Sequence, residues 1–263
     1  MIKQAIAILF ASFFVFYGCA KSKPQNGLKV AASPVPHAEL LEFVKPDLKA
    51  EGIDLVIITT EDYNMPNRAL ADKDVDANFF QHVPFMEQQM NQFHYAIESL
   101  GPIELEPMGI YSKKIRSLSQ LKDGAKFALP NDPTNEARAL LLLQEQGIIQ
   151  LQDPNDLSST ILNISNNPKN IQFIEVDAAM LPRSLPDVDA AAINTNYALE
   201  AGLSPLKDAL VLESKDSPYA NVIAVRDGDE NRPDIVALKK AMTSDKMKEY
   251  IEQKYKGAVI PAF

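Results

Sequence analysis

The 263-residue chain has no tryptophan, one cysteine and three histidines, and each scarcity removes a class of function. A single cysteine excludes an intramolecular disulfide and any cysteine-rich zinc site. His37, His82 and His94 stand apart, with no His-Glu-x-x-His and no pair at helical spacing, so no metal centre is expected. Glycine numbers only 10, with no glycine-rich phosphate loop and no Gly-x-Ser-x-Gly elbow, which leaves nucleotide hydrolysis and elbow-type nucleophilic catalysis unsupported. Positive charge is also short. With 26 Lys and Arg against 35 Asp and Glu the net charge is −9, the wrong sign for nucleic acid or a polybasic membrane patch. No set of nucleophile, base and oxyanion donors emerges, so neither an enzyme nor a cofactor is expected.

Long apolar runs are missing except at the start, where Lys3 precedes an apolar run over 5–17 and then Gly18 and Cys19. That run is shorter than the ~20 residues needed to span a bilayer, and its layout predicts a secretory signal over 1–18. A lone cysteine is ordinarily a small buried hydrophobe. Here Phe16-Tyr17-Gly18-Cys19 resembles a bacterial lipobox, with Phe16 and Tyr17 in place of the usual leucine and small residue. Lipidation of Cys19, palmitate included, would anchor the chain, since several acyl chains on one residue suffice. The polar stretch that completes 19–27 then serves as a tether.

What remains is an ordinary globular composition, 46% apolar and 23% charged, long enough for one large domain or two modest lobes. A strand over 28–32, a helix over 36–51 with Leu40, Leu41, Val44 and Leu48 on one face, and a β-branched strand over 53–59 make a βαβ unit. Pro46 is expected to kink or interrupt that helix. The pattern continues with a helix over 66–72, a strand over 75–80, a helix over 84–93 and an extended stretch over 103–111. A second unit opens with a strand over 126–129, followed by Asp132 as N-cap, Pro133 at the first helical position and a helix over 134–146. Further strands are expected at 171–176, 190–194, 209–212 and 221–225, and closing helices at 234–241 and 246–254. The chain therefore reads as α/β, its two units placing a ligand cleft off the carboxyl ends of the strands.

Arg138 lies in the helix of the second unit, just before the apolar run 139–143. Two readings stand open: a snorkelling helix-edge arginine, or a guanidinium at the cleft whose planar fork binds a carboxylate. Asn194 and Asn221 sit at strand ends, where asparagine serves either as turn chemistry or as a neutral partner for a zwitterion.

Six blocks in order, 63–67 (YNMPN), 78–85 (NFFQHVPF), 130–135 (PNDPTN), 138–142 (RALLL), 194–198 (NTNYA) and 217–221 (SPYAN), resemble the NlpA family of lipoproteins over nearly the whole chain after the tether. The resemblance implies a two-lobed periplasmic-binding-protein fold, type II-like, with a ligand clamped between lobe 1 (28–111 plus 223–263) and lobe 2 (112–222). By similarity, Arg138 holds a ligand carboxylate, Asn194 and Asn221 bind the α-amino and α-carboxyl groups, and Tyr63, Phe80, His82 and Phe85 enclose the side chain. Phe85 departs from the tyrosine common there. The implied function is a lipid-anchored receptor, facing periplasm or exterior, that delivers an amino acid, methionine first, to an ABC permease and its ATPase. A surface-exposed interaction lipoprotein that kept the fold without transport is the alternative, and a metal receptor is disfavoured by the scattered histidines.

Overall fold

The computed structural model describes residues 27–263, so the expected signal, Cys19 and all but the last residue of the tether lie outside the described residues. In chain order the elements are β1 (Leu28–Ala32), α1 (Glu39–Ala50), β2 (Leu55–Thr59), α2 (Met65–Ala71), β3 (Ala77–His82), α3 (Val83–Phe93) and β4 (Ile97–Leu105). There follow β5 (Gly109–Tyr111), β6 (Lys126–Pro130), α4 (Pro133–Glu145), β7 (Gln150–Leu151), β8 (Ile164–Asn166), β9 (Gln172–Val176), α5 (Leu181–Ser184), β10 (Ala190–Ile193), α6 (Thr195–Glu200), α7 (Pro205–Asp208) and β11 (Ala209–Leu212). The chain closes with β12 (Ala220–Arg226), α8 (Pro233–Met242), α9 (Asp245–Tyr255) and β13 (Ile260–Pro261).

Two sheets form the two lobes. The first has the order β13-β4-β12-β3-β1-β2, and the second β11-β5-β10-β6-β9. β1 is parallel to β2 and β3, as the βαβ pattern requires, and β6 is parallel to β9 and β10. Leu40, Leu41, Val44 and Leu48 of α1 are buried on the predicted face and join α8 and α9 over one side of the first sheet. α2 and α3 cover the other side. In the second lobe α4 packs on one face of its sheet, and α5 and α6 on the other.

Three local expectations change. α1 runs through Pro46 without interruption, because the proline lies on the solvent face, where water can take the carbonyl its missing N–H leaves free. The extended stretch expected over 103–111 is two strands in different sheets, β4 and β5; Gly101 at φ +106° and a register shift near Pro102 break the alternation that would have shown β4 beginning at Ile97. By strand membership the chain passes to the second sheet between Leu105 and Gly109 and returns between Leu212 and Ala220. Boundaries after 111 and 222 would separate β5 from its partners β10 and β11 and cut β12 in two.

Candidate functional site

A cavity lies between the lobes, and Tyr63, Phe80, His82, Phe85, Arg138, Asn194 and Asn221 all line it. The topology explains the convergence. His82 ends β3, Asn194 directly follows β10, and Arg138 lies in the helix after β6, so each sits off a strand's carboxyl end. Asn221 reaches the same place because β12 runs antiparallel between β3 and β4, with Asn221 opposite His82 on one side and Glu104 on the other.

One end of the cavity is aromatic. Tyr63, Phe80 and Phe85 surround it with ring centroids 5.9 Å apart pairwise. Phe80 faces this space, whereas Phe79, its neighbour on the opposite face of β3, is fully buried in the first-lobe core, with its ring edge-on to His37 at 4.6 Å. The polar atoms in the aromatic wall are already engaged. Tyr63 donates to Asn196 Oδ1 at 2.7 Å. His82 Nδ1 caps α3 by accepting the Phe85 N–H at 3.2 Å, which fixes the ring proton on Nε2, 3.3 Å from Asn135 Oδ1. Burial first, and then the Arg138 charge, push the His82 pKa down to about 3 against the opposing bond to Asn135. His82 is therefore a neutral wall with no spare donor or acceptor.

The other end is charged. Arg138 is 4% exposed, which rules out the snorkelling reading. Its Nε lies 3.0 Å from Glu213 Oε1, its Nη2 donates to the Glu106 carbonyl at 2.7 Å, and its guanidinium lies 4.5 Å from the centre of the Tyr219 ring. The Nε–Nη2 edge of the fork is thus committed to Glu213, and Nη1 has no partner among the described residues. Asp132 caps α4 as expected, accepting from the Asn135 N–H at 2.9 Å. Its carboxylate also fixes the Asn135 amide, so that Oδ1 receives Asn194 Nδ2 at 2.9 Å as well as His82. Asn194 Oδ1 and Asn196 Nδ2 are buried, without partners among the described residues.

Glu106, His37, Gln81, Asn135, Thr195 and Asn196 also line the cavity and were not singled out in the sequence. Gln81, Asn135, Thr195 and Asn196 lie inside the quoted blocks NFFQHVPF, PNDPTN and NTNYA, so the signal for them was present. His37, Glu104 and Glu106 bring ligand atoms within 4.8 Å of one another, the one such group among the described residues, which the scattered spacing of the histidines concealed. Asn221 Nδ2 lies 2.9 to 3.2 Å from all three, so the point these atoms share already holds a hydrogen-bond donor.

A family model described as NlpA lipoprotein matches residues 28–263. The chain is 42% identical over 265 residues to a protein of Bacillus subtilis named methionine-binding lipoprotein MetQ, covering 98% of this chain and 96% of that one. It is 38% identical over 260 residues to the D-methionine-binding lipoprotein MetQ of Escherichia coli, covering 97% and 96%. Among solved structures, a nutrient binding protein from Burkholderia cenocepacia bound to methionine superposes with a TM-score of 0.87 at 48% identity, over 90% of this chain and 100% of that one.

Proposed function

Since this chain belongs to the NlpA lipoprotein family, we propose that it is a lipid-anchored receptor that captures an amino acid with an apolar side chain, methionine foremost, for an ABC permease and its ATPase. The family is one of substrate-binding proteins, not enzymes. The observation that carries the reading is the division of the cavity into a charged end and an aromatic end whose polar atoms are already engaged. A zwitterion leaving water needs a partner for each charge. Arg138 Nη1 and Asn196 Nδ2 suit the carboxylate, while Glu106 and Asn194 Oδ1 suit the ammonium. Tyr63, Phe80, His82 and Phe85 then hold the side chain, where each sulfur–ring contact contributes about 0.3–1.5 kcal/mol. An interaction lipoprotein without transport would have no use for so complete a site.

The test is direct. Purified protein, once denatured, should release methionine identifiable by mass spectrometry, and stripped protein titrated with methionine should give saturable heat. No released amino acid, together with no heat from any common amino acid, would sink the reading.

Anchoring is proposed through Cys19, consistent with relatives named lipoproteins. Among the described residues no helix is long and apolar enough to cross a membrane. Cys19→Ser should abolish fatty-acid labelling and membrane partition; persistent labelling would refute attachment at this residue.

A further inference from the structure

At the charged end of the cavity two carboxyl groups meet around one imidazole, with no lysine or arginine side chain among the described residues bonded to either. Glu104 is 0% and Glu106 5% exposed, and the Oε1 of each lies 3.3 Å from Nε2 of the buried His37. Asn221 Nδ2 lies 2.9 Å from Glu104 Oε1, 3.1 Å from Glu106 Oε1 and 3.2 Å from His37 Nε2. The two hydrogens of that amide suffice for the two carboxylate oxygens but bring no charge to balance theirs. Arg138, the nearest guanidinium, meets Glu106 at the backbone carbonyl and gives its side-chain ion pair to Glu213. A second buried carboxylate so close opposes ionisation of the first and favours a proton held between them. Glu106 is accordingly held above the usual carboxylate range, by burial first and then by Glu104, against the opposing pull of Arg138 and the Asn196 N–H.

We propose that Glu104 and Glu106 form a one-proton site that the ammonium group of the ligand discharges. As the ammonium settles against Glu106, the shared proton leaves to solvent. The balance is simple: two carboxylates and a proton before, two carboxylates and an ammonium after, with the same net charge. Glu106 lines the cavity and Glu104 does not, so Glu106 meets the ligand and Glu104 is a positioning residue that acts through it. The inference rests on the amino-acid reading above and deepens it, because a ligand whose α-amine is acylated or absent cannot displace the proton. Other titratable or charged groups facing the pair are His37 from the turn before α1, Tyr63 from the loop before α2, Arg138 of α4, and Tyr255 of α9, which is bound to Glu39. Burial raises both tyrosines above their ordinary range, so they stay neutral.

Calorimetry of methionine binding in phosphate and in Tris, between about pH 5 and 8, counts the protons released from the dependence of heat on buffer. The expected result approaches one proton per ligand where the pair is protonated, with affinity rising by up to about tenfold per pH unit across that window. N-acetylmethionine should neither compete nor release a proton. In Glu104→Gln the neighbouring carboxylate is gone while the burial of Glu106 remains, so proton release and the slope of affinity with pH should both fall. A second arm needs no ligand: the infrared spectrum of stripped protein near neutral pH should contain a carboxylic-acid C=O band that Glu104→Gln weakens. Buffer-independent heat across the whole window, release undiminished in Glu104→Gln, or an acid band unchanged by Glu104→Gln would each overturn the proposal. Absence of heat everywhere would count against the receptor reading instead, and the infrared arm would still decide the proton site.

Discussion

Arg138→Ala should weaken amino-acid binding by about 2–5 kcal/mol, roughly 30- to 5,000-fold in Kd, because it removes one side of a desolvated charge pair. The same guanidinium also neutralises Glu213, whose side chain is 10% exposed, so the alanine variant leaves that carboxylate unpaired and loses stability as well. The two effects are separable. Arg138→Met combined with Glu213→Gln removes both charges while keeping much of the volume, and replacing a buried ion pair in this way is often neutral for stability. Binding should still be lost in the double variant, since nothing then faces the ligand carboxylate with positive charge. Arg138→Lys should not rescue it. One ammonium cannot bond Glu213, the Glu106 carbonyl and a ligand in the directions that the planar fork serves. Calorimetry on stripped protein, with melting curves run alongside, checks all three variants; affinity within twofold of the parent in the double variant would remove Arg138 from the site.

The position of Arg138, paired with Glu213 at the edge of the cavity, marks where sequence reasoning reached and where it stopped. Local rules carried far: Asp132 caps α4 through the Asn135 N–H as its position predicted, and the buried face of α1 is the one its apolar spacing marked. The pocket wall was legible because Phe79 and Phe80 must point to opposite faces of one strand. Glu213 was not, because nothing local links it to Arg138, 75 positions earlier. Glu104 and Glu106 were hidden for a related reason. They lie where Gly101 and Pro102 break the strand pattern, and they meet Asn221 only through the antiparallel register of β12 against β4. Pairings between strands so distant in sequence leave no periodic trace in either segment. The same limit explains Asn135, whose contact with Asn194 depends on the pairing of β6 with β10 and whose contact with His82 depends on how the two lobes meet.

Phe79 and Phe80 offer the sharpest separation of fold from site, since they are adjacent residues with the same side chain. Phe79→Ala should cost about 3–5 kcal/mol of stability, the usual loss for emptying a packed core position, on a total of order 5–15 kcal/mol. Its ring is fully buried among first-lobe residues and does not line the cavity, so the affinity of the molecules that remain folded should stay within about threefold of the parent. Phe80→Ala should show the converse. Its ring already borders open space, so fewer packing contacts are lost, but the ligand side chain loses one of its aromatic neighbours and binding should fall by about tenfold or more. Should Phe79→Ala not accumulate, Phe79→Leu retains most of the volume and tests the same asymmetry at smaller amplitude. Denaturant unfolding of stripped protein gives the stability differences and calorimetry the affinities. Equal losses of affinity in the two variants would mean that β3 does not divide its faces between core and ligand, and the assignment of Phe80 to the pocket would fall with it.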